Sequence, residues 1–268
     1  MASAQPLAGR VALVTGVSRR AGIGAALVRR LCADGAAVFA TGWAAHDAEM
    51  AWGADAPGPP HGPDGPPAHG RQPGSPGALV HEAADLADPE APGRLVARVV
   101  ERLGAIDILV ANHARSASQD LDSLTVDELD RCWAVNARAS LLLVKALAER
   151  HDDRRPGGRA VLFTSGQHLA PMASELPYAV SKGAIHQMTA SLADHLAARG
   201  ITVNCVNPGP VDTGWAGGAL HATIASRFPG GRWGQPDDVA RLVAWLVSDE
   251  AAWITGQVID SEGGFRRA

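Results

Sequence analysis

The sequence predicts an α/β fold: a doubly wound, seven-stranded parallel sheet in a single domain with helices on both faces. Three observations carry this. Short β-branched runs alternate with longer helical stretches along the chain, the pattern of a parallel sheet buried under crossover helices. A glycine-rich turn follows the first such run and opens the first helical stretch. A length of 268 residues, with 46% apolar and 19% charged side chains, suits one large core.

Taken in order, strands are expected over 10–15, 36–41, 79–83, 106–111, 159–164, 201–206 and 257–260. The helical stretches between them begin near Gly22, Pro89, Thr125, Tyr178 and Pro236, joined by right-handed crossovers. Thr125 and Glu128 have capping-box spacing. Residues 53–77 break the pattern: of 25 positions, 7 are Gly and 8 are Pro, and none is Val, Ile, Leu, Phe, Met or Trp. Such a segment cannot bury enough surface to offset its ordering entropy, so a disordered, dispensable insertion is expected there.

Composition excludes several classes of function. Lys+Arg 24 against Asp+Glu 28 gives a net charge of −4, with no basic block to neutralise a phosphate backbone, so nucleic acid is not an expected partner. Residues 1–10 lack the apolar core of an export signal and no apolar run is long enough to span a bilayer, so a cytoplasmic protein without membrane attachment is expected. Cys32, Cys132 and Cys205 are far apart and odd in number, which fits buried, inert thiols better than disulfides. No His, Cys or carboxylate set has ligand spacing, so no metal is expected.

Two motifs carry chemistry. The first strand ends in Thr15-Gly16-Val17-Ser18-Arg19-Arg20-Ala21-Gly22-Ile23-Gly24. Glycines in a strand-to-helix turn let the backbone approach a pyrophosphate, whose charge is held by the N–H groups of the helix N-terminus. Farther on, Tyr178 and Lys182 stand at i and i+4, on one face of a helix. Tyr178 is the only tyrosine; of the 24 Lys+Arg residues only Lys145 and Lys182 are lysines, leaving 22 arginines. A compact ammonium suits hydroxyl binding and phenol tuning better than the fixed arginine fork.

The glycine turn, Tyr178 with Lys182, Asn112, and Pro208-Gly209 with Thr213 resemble the short-chain dehydrogenase/reductase family over nearly the whole chain. The resemblance implies a Rossmann fold, a nicotinamide cofactor and a catalytic tetrad. Its members here would be Ser165, thirteen residues before Tyr178, together with Asn136, Tyr178 and Lys182. Tyr178 would be the general acid in reduction, with its phenol pKa lowered by Lys182 and by the charge of the oxidised nicotinamide; Ser165 would hold the carbonyl oxygen; Asn136 would anchor a water leading protons to Lys182. Cofactor contacts would come from Gly16, Ser18, Arg19, Arg20, Gly22, Ile23 and Gly24 of the turn, Trp43 after the second strand, and Asp85, Leu86 and Asn112. Tyr178, Lys182, Pro208, Gly209, Val211 and Thr213 would complete them. His113, His168, Met172, Glu175 and Trp215 would line the substrate pocket.

Two departures stand out. The family turn reads TGxxxGxG, whereas five residues separate Gly16 from Gly22, leaving open which of Arg19 and Arg20 faces the cofactor. Ala111-Asn112-His113-Ala114 replaces the usual NNAG. NADPH is the expected cofactor, with NADH possible, because the second strand ends Ala40-Thr41-Gly42-Trp43 without the acid that would bond a ribose 2′-hydroxyl.

Further stretches, Asp47 to Met50, Asn207 to Trp215 and Trp253 to Phe265, resemble 3-oxoacyl-carrier-protein reductases, which makes a 3-oxoacyl thioester the leading substrate class. A tailoring ketoreductase of cyclic ketones and an NAD-dependent alcohol dehydrogenase are the alternatives. An enoyl reductase is disfavoured by the Tyr178 to Lys182 spacing, and a dinucleotide-binding sensor by the complete tetrad. A carrier protein would dock on Arg155, Arg159 or Arg199 beside the cleft. The apolar faces within 125–150 and 178–199 imply a homotetramer, with Trp133, Trp245 and Trp253 in core or subunit contacts.

Overall fold

The computed structural model describes residues 5–55 and 77–267. Its seven strands are β1 (Val11–Thr15), β2 (Ala37–Gly42), β3 (Leu79–Ala83), β4 (Ile108–Ala111), β5 (Arg159–Phe163), β6 (Thr202–Asn207) and β7 (Val258–Asp260). They pair in parallel in the order β3-β2-β1-β4-β5-β6-β7. Every residue of β1, β2, β4, β5 and β6 is buried, whereas the edge strands β3 and β7 are partly exposed. This is why the inner strands read as continuous apolar runs rather than alternating ones.

Alternation instead divides the core in two. Leu13, Phe39 and Leu109 face one layer, built with α3 (Ala91–Leu103), α5 (Ala139–Arg150) and α6 (Leu176–Ala197). Val14, Val38 and Val110 face the other, built with α1 (Ile23–Ala33) and α8 (Pro236–Leu246). The order reverses on either side of β1, so the carboxyl ends of β1 and β4 open a crevice where helices leave in opposite directions.

The expected strands are all present, several of them one or two residues shorter. Two short helices, α2 (Ala44–Glu49) and α7 (Gly218–Ala225), were not expected; both lie in polar or small-residue stretches without a strong apolar period. The expected helix from Thr125 is three pieces: α4 (Val126–Cys132), a π turn (Trp133–Arg138) and α5. The capping box is half made. Thr125 Oγ1 accepts from the Glu128 N–H at 3.3 Å, but the Glu128 carboxylate pairs with Arg115 instead of returning to Thr125. A complete box, Gln235 with Asp238, opens α8.

At the amino edge of the sheet Asp107 is wholly buried, accepting from Val11 N at 2.8 Å and from Arg155 Nε and Nη2 at 2.6 and 2.7 Å. Arg155 and Arg159 therefore stand at the end of the sheet opposite the crevice, and Arg199 is committed to Asp153 at 2.7 Å and to the Ala148 carbonyl. None of the three flanks the cleft as a carrier-docking arginine would. Trp133, Trp245 and Trp253 are exposed, not in the core. All three cysteines are buried and none forms a disulfide. Most of the 53–77 insertion lies outside the described residues. Among those described, no helix is long and apolar enough to cross a membrane.

Candidate active site

The glycine turn is shaped by close backbone packing. Gly16 has φ +73°, and a Cβ there would lie 2.8 Å from the Asn112 amide and the His113 backbone. Asn112 Nδ2 donates to the carbonyls of Thr15 and Gly16 at 3.2 and 3.1 Å, tying β4 to the turn. Gly24 packs on the Gly16 carbonyl, so its role is contact within the fold, and Gly22 caps α1 without a side-chain bond. The first N–H groups of α1 thus face an open cleft of about 390 Å³.

Gly16, Ser18, Arg19, Gly22, Trp43, Asp85, Leu86 and Asn112, all predicted, line this cleft, and so do unpredicted His46, Asp47 and Arg115. Arg19 is the arginine at the cleft, and its buried Nε has no hydrogen-bond partner. Arg20 is exposed, with its backbone N–H donating to Asp55 Oδ2 at 2.5 Å. An uncapped helix N-terminus, a cleft of this size and an unsatisfied buried guanidinium nitrogen together fit a dinucleotide phosphate chain.

On the other side of the crevice, α6 carries Tyr178 and Lys182 on one face, Lys182 Nζ standing 5.6 Å from the Tyr178 ring centroid. Lys182 is buried, donates to the Phe163 carbonyl at 2.9 Å, and is driven down to about 8 by desolvation. Ser165, just after β5, stands near enough to the Tyr178 phenol to favour its ionised form. Burial pushes the Tyr178 phenol up to about 12, a shift that Ser165 opposes and the Glu175 charge reinforces. This corrects the expectation that Lys182 pulls the phenol down: the ammonium is turned to a carbonyl, and desolvation outweighs it.

Asn136 sits in the π turn, a distortion that swings it inward, with no exposed surface. Its Oδ1 accepts from Arg115 N at 2.7 Å, and its Nδ2 donates to the Arg115 carbonyl at 3.0 Å and to Ser181 Oγ at 2.9 Å. Ser181 in turn donates to the Tyr178 carbonyl at 2.8 Å. This network links the loop after β4 to the helix of Tyr178. Ser181 was missed although it lies inside the Tyr-Ala-Val-Ser-Lys string, because a helical serine gives no signal of its partner.

His113 lines the cleft, clasped by both ring nitrogens. It is buried, Thr15 Oγ1 lies 2.7 Å from its Nδ1, and Nε2 lies 2.9 Å from the Val135 carbonyl. A carbonyl only accepts, so Nε2 carries the proton and Nδ1 accepts from the threonine. Desolvation, with the Lys182 charge, drives His113 down to about 3, keeping it neutral. His168 is turned to Asp260 at 3.1 Å, beside His186. Glu175 caps α6, its carboxyl pushed up by burial, and Met172 accepts the Glu175 N–H. Trp215 donates to the Val211 carbonyl at 2.9 Å and meets Trp233 edge-on, where His221 also stacks. Pro208, Gly209, Val211 and Thr213 follow β6; Gly209 has φ +61° and packs on Glu262. Among the described residues no group of three or more His, Cys, Asp or Glu is placed to hold a metal ion.

A turn, a crevice and a Ser-Tyr-Lys face arranged in this way define a dinucleotide-dependent oxidoreductase fold, and comparison with known proteins agrees. The family model described as Enoyl-(Acyl carrier protein) reductase matches residues 72–266. The uncharacterized oxidoreductase YjdA of Bacillus subtilis (strain 168) is 40% identical over 261 residues, covering 96% of this chain and 97% of that one. A short-chain dehydrogenase from Burkholderia cenocepacia J2315, solved in complex with NADP, superposes with TM-score 0.80 at 38% identity, over 97% of this chain and 98% of its own. A short-chain dehydrogenase/reductase from Serratia marcescens BCRC 10948 superposes with TM-score 0.80 at 33% identity, over 97% and 99%. The chain belongs to the short-chain dehydrogenase/reductase family and is an NAD(P)-dependent oxidoreductase.

Proposed function

We propose that the protein is an NADPH-dependent carbonyl reductase with Tyr178 as general acid. The observation that carries this is the placement of Tyr178 and Lys182 on one face of α6, Nζ 5.6 Å from the ring, with Ser165 just after β5. A phenol near 12 is loaded with its proton at neutral pH, the state that reduction requires. When bound, the cofactor supplies the hydride that adds to the carbonyl carbon. Tyr178 Oη gives its proton to the carbonyl oxygen, Ser165 Oγ donates a hydrogen bond to that oxygen as negative charge develops, and Lys182 would hold the ribose hydroxyls of the bound cofactor. Asn136 holds the loop and the helix in register, and its place beside Ser181 suits a proton path ending at Lys182.

Preference for NADPH is supported by Arg19 at the cleft and by the absence of an acid at the end of β2. Three acids do line the cleft, but Asp47 accepts from the Trp52 indole at 3.1 Å, Glu49 lies 3.5 Å from Arg115, and Asp85, beyond β3, accepts from Ala87 N at 2.9 Å. The Burkholderia relative's complex with NADP supports the same preference. Comparing kcat/KM for NADPH and NADH tests it; a wild-type preference for NADH overturns it.

The substrate class we favour is a 3-oxoacyl thioester, free of a carrier since the three candidate docking arginines lie elsewhere. A second reading, a bulky cyclic ketone, is favoured by one observation: Trp215, His221, Phe228, Trp233 and Phe265 form a continuous aromatic group after β6. Turnover of a polycyclic ketone with failure on acetoacetyl thioesters would select the second. Three cysteines outside any disulfide fit a reducing, cytoplasmic setting. We further propose a homotetramer in which a second copy covers the outer face of α4 and α6, where Trp133 and Val180 are exposed along a groove of about 230 Å³. A monomer in sedimentation at micromolar concentration overturns this.

A further inference from the structure

The two places where the chain is longer than the family pattern meet in space. The glycine turn has two extra residues, and the connection after β2 carries the 53–77 insertion. Just before and within the start of that insertion the chain doubles back over the turn. The Arg19 guanidinium lies 5.6 Å from the centroid of the Trp52 ring, and Asp55 Oδ2 accepts the backbone N–H of Arg20. Trp52 is itself anchored, its Nε1 donating to Asp47 Oδ1 at 3.1 Å, and Asp47 is buried on α2. An aromatic face within about 6 Å attracts a guanidinium without occupying its N–H donors. A carboxylate in the same place would have consumed those donors and cancelled the charge. Arg19 is thus restrained yet keeps a buried, unsatisfied Nε at the cleft.

We infer that Trp52, anchored by Asp47, is a positioning residue that holds Arg19 for the cofactor's 2′-phosphate and so determines discrimination between phosphorylated and unphosphorylated dinucleotides. The inference rests on the reading of Arg19 as the 2′-phosphate partner. It also ties Trp52, the residue just before the insertion, to the cofactor site.

The test titrates the full chain with 2′,5′-ADP and with 5′-AMP, which differ only in the 2′-phosphate, on wild type, R19A, W52A and W52F. Trp52 is half-buried on the surface, and an unchanged melting temperature checks the fold of each variant. Trp52→Ala should weaken 2′,5′-ADP by about three- to tenfold, as loss of a partly desolvated cation–π contact implies, and leave 5′-AMP within about twofold. Trp52→Phe keeps a ring face and should restore most of the loss; adding W52A to R19A should cost nothing further. Equal weakening of both ligands by W52A, or no weakening of 2′,5′-ADP by W52A where R19A weakens it, overturns the positioning role. Equal wild-type affinity for the two ligands, or an R19A loss shared by both, instead overturns the underlying assignment of Arg19, and the positioning role with it.

Discussion

At the amino edge of the sheet Asp107 is wholly buried and bonded to two arginine nitrogens of Arg155, with Arg10 4.0 Å away; at the carboxyl edge Lys182 is as deeply buried, and its hydrogen bond goes to a neutral carbonyl. Desolvation lowers the pKa of Arg10 and of Arg159 just as it lowers that of Lys182. The arginines begin far above neutrality and stay charged through any working pH, so their burial affects packing and stability alone. The lysine begins at 10.5 and arrives at about 8, where it can exchange a proton. The same physical cost is therefore structural at one edge and chemical at the other, and residue type decides which.

The sharpest way to break that contrast is to remove the centre of the amino edge. Asp107→Ala leaves the buried Arg10 without its buried counter-charge, strips Arg155 of its partner and frees the Val11 N–H, so a loss of about 3–5 kcal/mol in unfolding free energy is expected. Turnover per folded molecule should be unchanged, since the group lies at the far end of the sheet. A fall in kcat with intact stability would reverse the assignment of the two edges. Tyr178→Phe should do the opposite: stability close to wild type, with kcat lower by on the order of 10²-fold or more and NADPH titration unaltered. Retained turnover would place the acid elsewhere.

His113 belongs to the carboxyl edge by position and to the structural class by behaviour. Its folded pKa, about 3, lies below the ordinary 6.5, so between these values the unfolded chain binds a proton that the folded chain refuses. Stability should accordingly rise with pH across that window by up to about 1.4 kcal/mol per unit and be lost as pH falls. Urea unfolding at pH 6 and pH 4 on wild type and His113→Gln measures the slope; an equal slope in the variant would remove His113 as its source.

The fold was legible because its signals are local. Continuous apolar runs mark inner strands, and the turn from Thr15 to Gly24 marks the crevice. Tyr178 and Lys182 were legible through spacing and Ser165 through the family resemblance, and the structure brings them to one edge of the sheet. What escaped was tertiary. The clasp of His113 between Thr15 and Val135 joins residues far apart in sequence, and so does the bridge from Asn136 through Ser181. Trp52 was passed over because it precedes a stretch whose composition says only that it lacks a core. The phenol's upward shift was misjudged because sequence places Lys182 near it but cannot say that the ammonium points at Phe163.

The smallest effect concerns Lys182 itself and bears most directly on the comparison of edges. If its burial is chemical, the protonated form is the active one. As pH rises through about 8 the ammonium is lost, and with it the charge that binds ribose hydroxyls and relays protons. In the reducing direction kcat/KM should be flat from pH 6 to 7.5 and fall by about tenfold between pH 7 and 9, the change expected for one group titrating near 8. Lys182→Arg supplies a cation that does not titrate in this range, so whatever activity it retains should lose the alkaline limb. An alkaline limb that persists unchanged in that variant would show that another group, not the buried lysine, sets it.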